Sequence, residues 1–177
     1  MKKLIIPLVL LLIFSCQPKH DKKLKRQFTP KENKLLTLSR DIINRAYFAT
    51  FVTMNGEQPH PRVMEPFPPD NEWIVWMGTN AKSRKVQELK KNARASLHYF
   101  DRSIPAYVNL YGKAYPVNDV RLKDSIWRES WEEFYPEKSN YLLIKFIPDS
   151  LEMINPAQNL PGDPVTWKPY AVILKEK

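Results

Sequence analysis

Apolar residues in this chain alternate with polar ones more often than they recur at helical spacing, and the alternation comes in short runs cut by turn residues. Residues 47–54, rich in aromatic and β-branched side chains, read as a first strand, and Asn55-Gly56 behind them is a hairpin signal. A return strand over 60–67 ends among Pro66, Pro68 and Pro69, and 72–77 makes a third. Strands over 94–100 and 106–115 follow, joined by a loop containing Pro105. The set closes with 141–147, 150–154, a Pro- and Gly-rich loop over 155–164 and an extended 166–174. Helical spacing is found three times. Over 31–46, Leu35, Leu38 and Ile42 recur with Leu36 and Ile43 beside them; over 83–92, Val86 and Leu89 form an inner face. Over 119–134, Asp119 can cap a helix whose stripe of Trp127, Trp131 and Phe134 suits a core or a subunit interface. Many short strands with few helices predict a mainly-β domain with flanking helices, a closed or nearly closed antiparallel barrel. No internal repeat is visible.

The first residues stand outside that pattern. Lys2 and Lys3 precede an apolar run over 4–14 broken only by Pro7, too short to span a bilayer, which needs about 20 apolar residues. It reads as an export signal over 1–15. Its end, Leu12-Ile-Phe-Ser-Cys16, resembles the lipobox of bacterial lipoproteins, which implies cleavage before Cys16 and lipid attached to it. Cys16 is the one cysteine of the chain, so no disulfide is available. Gln17 rather than Asp after it implies, by the sorting rule of such proteins, an outer-membrane destination and a chain anchored to the lipid bilayer through Cys16. Residues 16–30 then form a basic tether with Lys19, Lys22, Lys23, Lys25 and Arg26 against Asp21, too poor in apolar residues to fold alone. The formal net charge of +9 is therefore misplaced as evidence about the domain: removing Lys2, Lys3 and the net +4 of residues 17–30 leaves about +3 on the rest. Basic residues beside a membrane meet anionic lipid, and a nucleic-acid partner is not expected. Residues 31–177 are one domain's worth of sequence.

Within that domain one segment carries candidate chemistry. The hydrophobic strand Trp73-Ile-Val-Trp-Met77 leads through Gly78-Thr-Asn-Ala81 into a helix whose start holds Lys82, Arg84 and Lys85. The helix macrodipole is already positive there, so each cation costs roughly 0.3–1 kcal/mol. An anion held against them removes that cost. Backbone N–H groups, the Thr79 and Ser83 hydroxyls and the fork of Arg84 together describe a phosphate socket; the alternative is a solvated basic helix start. Metal chemistry has little support, because His20, His60 and His98 are the three histidines and none pairs with another at ligand spacing. His60 lies two residues before Arg62, so alternation puts both on one strand face. No Ser-His-Asp set or nucleophile elbow is suggested.

Three pieces in order resemble the pyridoxamine 5′-phosphate oxidase-like flavoproteins, the FMN-binding split β-barrels, and within them the general stress protein 26-like branch. They are the hairpin strands Phe48-Ala-Thr-Phe-Val-Thr and Pro59-His-Pro-Arg-Val-Met64, then Trp76-Met-Gly-Thr-Asn-Ala-Lys-Ser-Arg-Lys85, then Val108-Asn-Leu-Tyr-Gly-Lys-Ala114. The resemblance implies a homodimer with FMN in a groove at the subunit interface. It implies that Arg62, Val63 and Met64 border the flavin and its ribityl chain, and that Thr79, Arg84 and Lys85 meet the phosphate, with Ser83 opening the helix beside it. Two departures matter. Where vitamin-synthesising members carry a lysine five residues after the first arginine, this chain has Phe67, and their closing Arg-x-His segment is replaced by Trp167-Lys-Pro-Tyr-Ala-Val-Ile-Leu174. Trp167 and Tyr170 either close the barrel or cover a flavin edge of the partner subunit. The resemblance thus implies an FMN-dependent oxidoreductase without implying pyridoxamine phosphate as substrate. Its competitors are a non-catalytic flavin or deazaflavin binder, a haem protein ligated by His60 or His98, and a barrel that has lost its cofactor.

Overall fold

A computed structural model describes residues 26–175 of the 177-residue chain. The proposed leader, Cys16 and the tether up to residue 25 lie outside the described residues. At Arg26 the chain is already attached to the domain. Arg26 pairs with Glu32 at 2.7 Å, Phe28 packs on the core, and Thr29 caps helix α1 (Pro30–Ala46) through a reciprocal capping box with Glu32. The folded unit therefore begins inside the segment read as tether.

The strands are β1 (Ala49–Asn55), β2 (Gln58–Met64), β3 (Val75–Asn80), β4 (Arg94–Asp101), β5 (Ala106–Val117), β6 (Tyr141–Ile154) and β7 (Tyr170–Ile173). They form one antiparallel sheet in the order β2-β1-β4-β5-β6-β3, with β7 also paired to β6. The chain beyond β2 returns to β3 through a Pro66–Met77 bridge and a 2.8 Å bond from Phe67 N–H to Trp76 O. The sheet is thereby curled into a half-barrel, nearly closed, as the alternation predicts. One side carries the core: Phe51, Val75, Met77, Leu97, Val108, Leu110, Phe146 and Leu151 are fully buried, and Ile42 and Ile43 of α1 enter the same cluster. Leu38, expected on that inner face, is only partly buried.

Several boundaries differ from the sequence reading for identifiable reasons. The hairpin turn is Gly56-Glu57, because Asn55 pairs with Gln58 and Gly56 at φ 61 supplies the left-handed residue at the head of the turn. β2 stops at Met64, short of the proline cluster. β3 starts at Val75, not 72, because Asp70 builds a turn, its carboxylate accepting the N–H of Glu72 and Ile74. The two strands expected at 141–147 and 150–154 are one, carried past Pro148 by a bulge: Tyr111 faces Ser150 while Gly112 faces Pro148. The helix expected over 119–134 ends early. Asp119 caps α3 (Val120–Ile126) through a 2.8 Å bond from Leu122 N–H, the backbone turns extended at Trp127, and a single 3₁₀ turn follows at Glu129–Trp131. Trp127 and Trp131 still meet edge to face at 6.0 Å, in a second cluster with Tyr141, Leu143 and Phe67, but Phe134 is 69% exposed.

Candidate functional site

Helix α2 (Arg84–Lys91) follows β3 after a turn in which Lys82 N–H bonds Asn80 Oδ1 at 2.8 Å. Its apolar face is Val86 and Leu89, both buried as the spacing requires. Ser83 occupies the N-cap position in extended conformation, yet its side chain makes no capping bond, and the first turn contains no acid. The hydroxyl faces Thr79 instead, at 3.3 Å, and Lys85 Nζ donates to Thr79 Oγ1 at 3.0 Å. Thr79 is 2% exposed, so the three polar groups meet at the edge of the barrel interior. Among the described residues Lys85 has no carboxylate partner. Burial above all, and then the nearby Arg62 charge, hold its pKa below the ordinary lysine value, with Glu88 opposing. An uncapped helix start, two hydroxyls turned toward each other and a half-buried ammonium bonded to one of them are a donor set that suits a phosphate dianion.

Arg62 and Arg84 are occupied differently. Glu88, one turn into α2, is 4% exposed and gathers partners from three elements. Thr53 Oγ1 of β1 donates to its Oε2 at 2.5 Å, His60 Nδ1 of β2 lies 2.5 Å from Oε1, Arg62 Nη2 reaches Oε2 at 3.0 Å, and Arg84 Nε lies 3.3 Å from Oε1. Arg62 Nη1 also donates to Thr53 Oγ1 at 2.5 Å. Burial pushes the Glu88 carboxyl up, but bonds from Thr53, His60 and Arg62 and the Arg62 charge outweigh it and hold the pKa down at about 2. An ionised carboxylate only accepts, so His60 carries its proton on Nδ1 and turns Nε2 away from Glu88. This cluster amends the charge argument from sequence: part of the cationic excess at the helix start is met by an internal anion. Arg84, 69% exposed, rests on that anion, while Lys85 makes no ion pair with it. Glu88 and Thr53 were not singled out from sequence. The available signal was an acid between Val86 and Leu89, four residues after Arg84, on the face that packing fills with apolar groups.

The family described as pyridoxamine 5′-phosphate oxidase matches residues 37–155. The chain belongs to that family. It is 23% identical over 126 residues to general stress protein 26 of Bacillus subtilis (strain 168), covering 68% of this chain and 89% of that protein. Among solved structures, a Clostridium acetobutylicum protein related to general stress protein 26 superposes with a TM-score of 0.65 at 23% identity, over 79% of this chain and 94% of the other. General stress protein 26 of Bacillus anthracis gives 0.59 at 24%, over 68% and 93%. A Nostoc punctiforme protein described as pyridoxamine 5′-phosphate oxidase-related and FMN binding gives 0.59 at 12%, over 85% and 99%. These likenesses show the split barrel.

In this oxidase-family barrel the remaining candidate residues scatter by strand alternation. Val63 is 71% exposed on the side opposite the core, whereas Met64 packs against the core, so their side chains do not form one wall. Phe67 is packed edge to face on Trp131 at 5.7 Å, with the Arg128 guanidinium 3.8 Å above it. His98 bonds Asn109 at 2.7 Å, away from the helix start. Trp167 is 81% exposed in the turn before β7, where Tyr170 is half-buried. A cavity of about 610 Å³ lies between α3 and the outer side of β3 and β6, lined by Trp76, Val117, Leu122 and Lys145, and contains none of the candidate residues.

Proposed function

We propose that this chain is an FMN-binding oxidoreductase of the pyridoxamine 5′-phosphate oxidase-like type that works as a homodimer tethered to the cell envelope. The observation that carries the reading is Lys85: a half-buried ammonium bonded to Thr79 at 3.0 Å, beside a Ser83 hydroxyl that faces Thr79 instead of capping and uncapped helix N–H groups. In this reading Lys85, Thr79, Ser83 and the α2 backbone hold the phosphate of FMN. Arg62 stands behind them on Glu88, and Val63 offers its exposed side chain to the ring. Bound FMN supplies reversible electron and hydride transfer, and the protein's share is to hold and orient it. Phe67, packed into the aromatic cluster where vitamin-synthesising members carry a lysine, argues for a substrate other than pyridoxamine phosphate. The dimer is supported by exposed apolar side chains on the face opposite the core: Val63 at 71%, Phe100 at 51%, Ile173 at 48% and Tyr111 at 40%. The lipobox-like run ending at Cys16 supports a lipid anchor, and Gln17 supports the outer membrane.

Titration of the full-length chain with FMN, followed by flavin absorbance and fluorescence quenching, tests the cofactor. We expect Lys85→Ala to weaken FMN binding by roughly 10–100-fold, as loss of a charge-assisted bond does. Arg84→Ala should cost several-fold less, since that side chain is largely in water. A colourless protein that takes up no FMN ends the reading. Turnover of bound FMN with NADH, NADPH or quinols separates an enzyme from a passive binder, and loss of the membrane fraction in Cys16→Ala tests the anchor.

A further inference from the structure

The buried carboxylate of Glu88 stands on a helix face that is otherwise apolar. Its neighbours on the inner face of α2 are Val86 and Leu89, and an apolar side chain there would avoid the cost of taking a charge out of water. Instead the chain arranges Thr53, His60, Arg62 and Arg84 around it, at 2.5, 2.5, 3.0 and 3.3 Å. Three of these are cationic or able to become so, and they come from two separate elements, β2 and α2. Lys85 lies three residues before Glu88 on the same helix. Among the described residues Arg62 commits Nη1 to Thr53 and Nη2 to Glu88, which leaves the Nε edge of its fork free, and Arg84 commits only Nε, which leaves both Nη groups free. Each arginine is thus fixed at one edge with donors left over.

We propose that Glu88 is a positioning residue for the anion site, fixing Arg62 and Arg84 beside Lys85 so that their free N–H groups meet a phosphate bound at the start of α2. This rests on the phosphate-socket reading above. It deepens that reading by assigning to a residue of the same sign as the ligand a role in binding it. The two effects of Glu88 on an anion have opposite signs. Through space its charge repels a phosphate; through geometry it holds the groups that attract one. Arg62 and Arg84 share the Glu88 carboxylate at 3.0 and 3.3 Å, and Lys85 adjoins Arg84 in the chain.

The opposed signs make the test. Glu88→Gln keeps the shape and removes the charge. If Glu88 serves only to neutralise, this variant binds FMN and inorganic phosphate more tightly. If it positions, both affinities fall by about tenfold, the equivalent of one well-placed charge-assisted bond. Riboflavin, which lacks the phosphate, should bind wild type and variant alike, and far-UV circular dichroism should be unchanged. Unaltered or tighter FMN binding by Glu88→Gln overturns the positioning role and leaves the flavin reading intact. No FMN binding by wild type removes both. Should Glu88→Gln fail to fold, Thr53→Val takes its place: it deletes the hydroxyl that bridges Arg62 and Glu88 without changing any charge. We expect it to weaken FMN binding by about threefold, a neutral hydrogen bond's worth, and an unchanged affinity overturns the proposal.

Discussion

At the scale of single residues, Glu88 and Asp101 are carboxylates held in their charged forms inside the fold. The Asp101 pKa is lowered to about 2 by the Ser103 hydroxyl and by Arg45, whose Nε lies 2.5 Å away, and that of Glu88 to about 2 by its own partners. A carboxyl with a depressed folded-state pKa contributes stability that is complete above its ordinary value, here 3.8 and 4.5, and is lost as pH falls through about 2. We therefore expect the urea midpoint to be flat above about pH 5 and to fall steeply toward pH 2, on the order of 2–3 kcal/mol of the loss coming from Glu88. In Glu88→Gln the slope over that window should be visibly shallower; an unchanged slope means the carboxylate is not ionised in the fold. Gly112 makes a different kind of point. A Cβ there would lie 2.2 Å from Ile147 O and 2.6 Å from Pro148 Cα, both backbone atoms at the bulge. At Gly78 it would lie 2.8 Å from the Trp131 ring, a side chain that can tilt. Gly112→Ala should thus cost at least about 3 kcal/mol and Gly78→Ala about 1–2, measured by denaturant unfolding. Equal costs would mean that the strand pair yields as easily as the indole.

At the scale of elements, α2 is a helix left unfinished at its start. Ser83 occupies the cap position without capping, and no acid sits in the first turn. Ser83→Asp supplies both a cap and a favourable charge on the macrodipole, so apo stability should rise by roughly 0.5–1 kcal/mol. The same carboxylate would lie against Thr79 and near Lys85, where the phosphate is proposed to sit, so FMN affinity should fall by more than about tenfold. A variant that gains stability and keeps its affinity places the phosphate elsewhere. How legible each element was follows from what fixes it. α1, β1, β4 and α2 were readable because a single repeating face meets the core: Leu35, Ile42 and Ile43, then Phe51, then Leu97 and Tyr99, then Val86 and Leu89. α3 was overread because the Trp127–Trp131 spacing that suggests a continuing helix is satisfied equally by a 3₁₀ turn folding both indoles onto β3 and β6. The long β6 was split because Pro148 reads as a terminator unless a glycine on the partner strand opens a bulge opposite it. Of the site, the cations and hydroxyls around Ser83 were visible as a local charge anomaly. Glu88's role was not, because its partners Thr53, His60 and Arg62 come from strands 26 to 35 residues away.

At the scale of the whole molecule, the inner side of the half-barrel is filled, while its outer side is covered over β3 and β6 by the Trp127–Trp131 cluster and left open across β2, β1, β4 and β5. Register aligns Val63 with Thr50 and His98 across β2, β1 and β4, and Tyr111 with Ser96 across β5 and β4, all on the side opposite the core. Phe100 belongs to the same outward set and is 51% exposed. A two-fold dimer uses one such self-complementary patch twice, and a stable one needs about 800 Å² from each partner. If this face is the proposed interface, Phe100→Lys should convert a dimer to a monomer in light scattering. It should change monomer stability by no more than about 0.5 kcal/mol, because the side chain makes no part of the core. Val120→Lys, on exposed α3 at 68% accessibility, should leave the mass unchanged. FMN affinity adds the deciding readout. A cofactor lying between subunits is released as Phe100→Lys separates them, with an affinity that depends on protein concentration, whereas a cofactor held by one subunit alone is indifferent to the substitution. A Phe100→Lys protein that stays dimeric excludes this face from the interface, and one that becomes monomeric yet binds FMN as tightly as wild type confines the flavin to the Lys85 side of a single barrel.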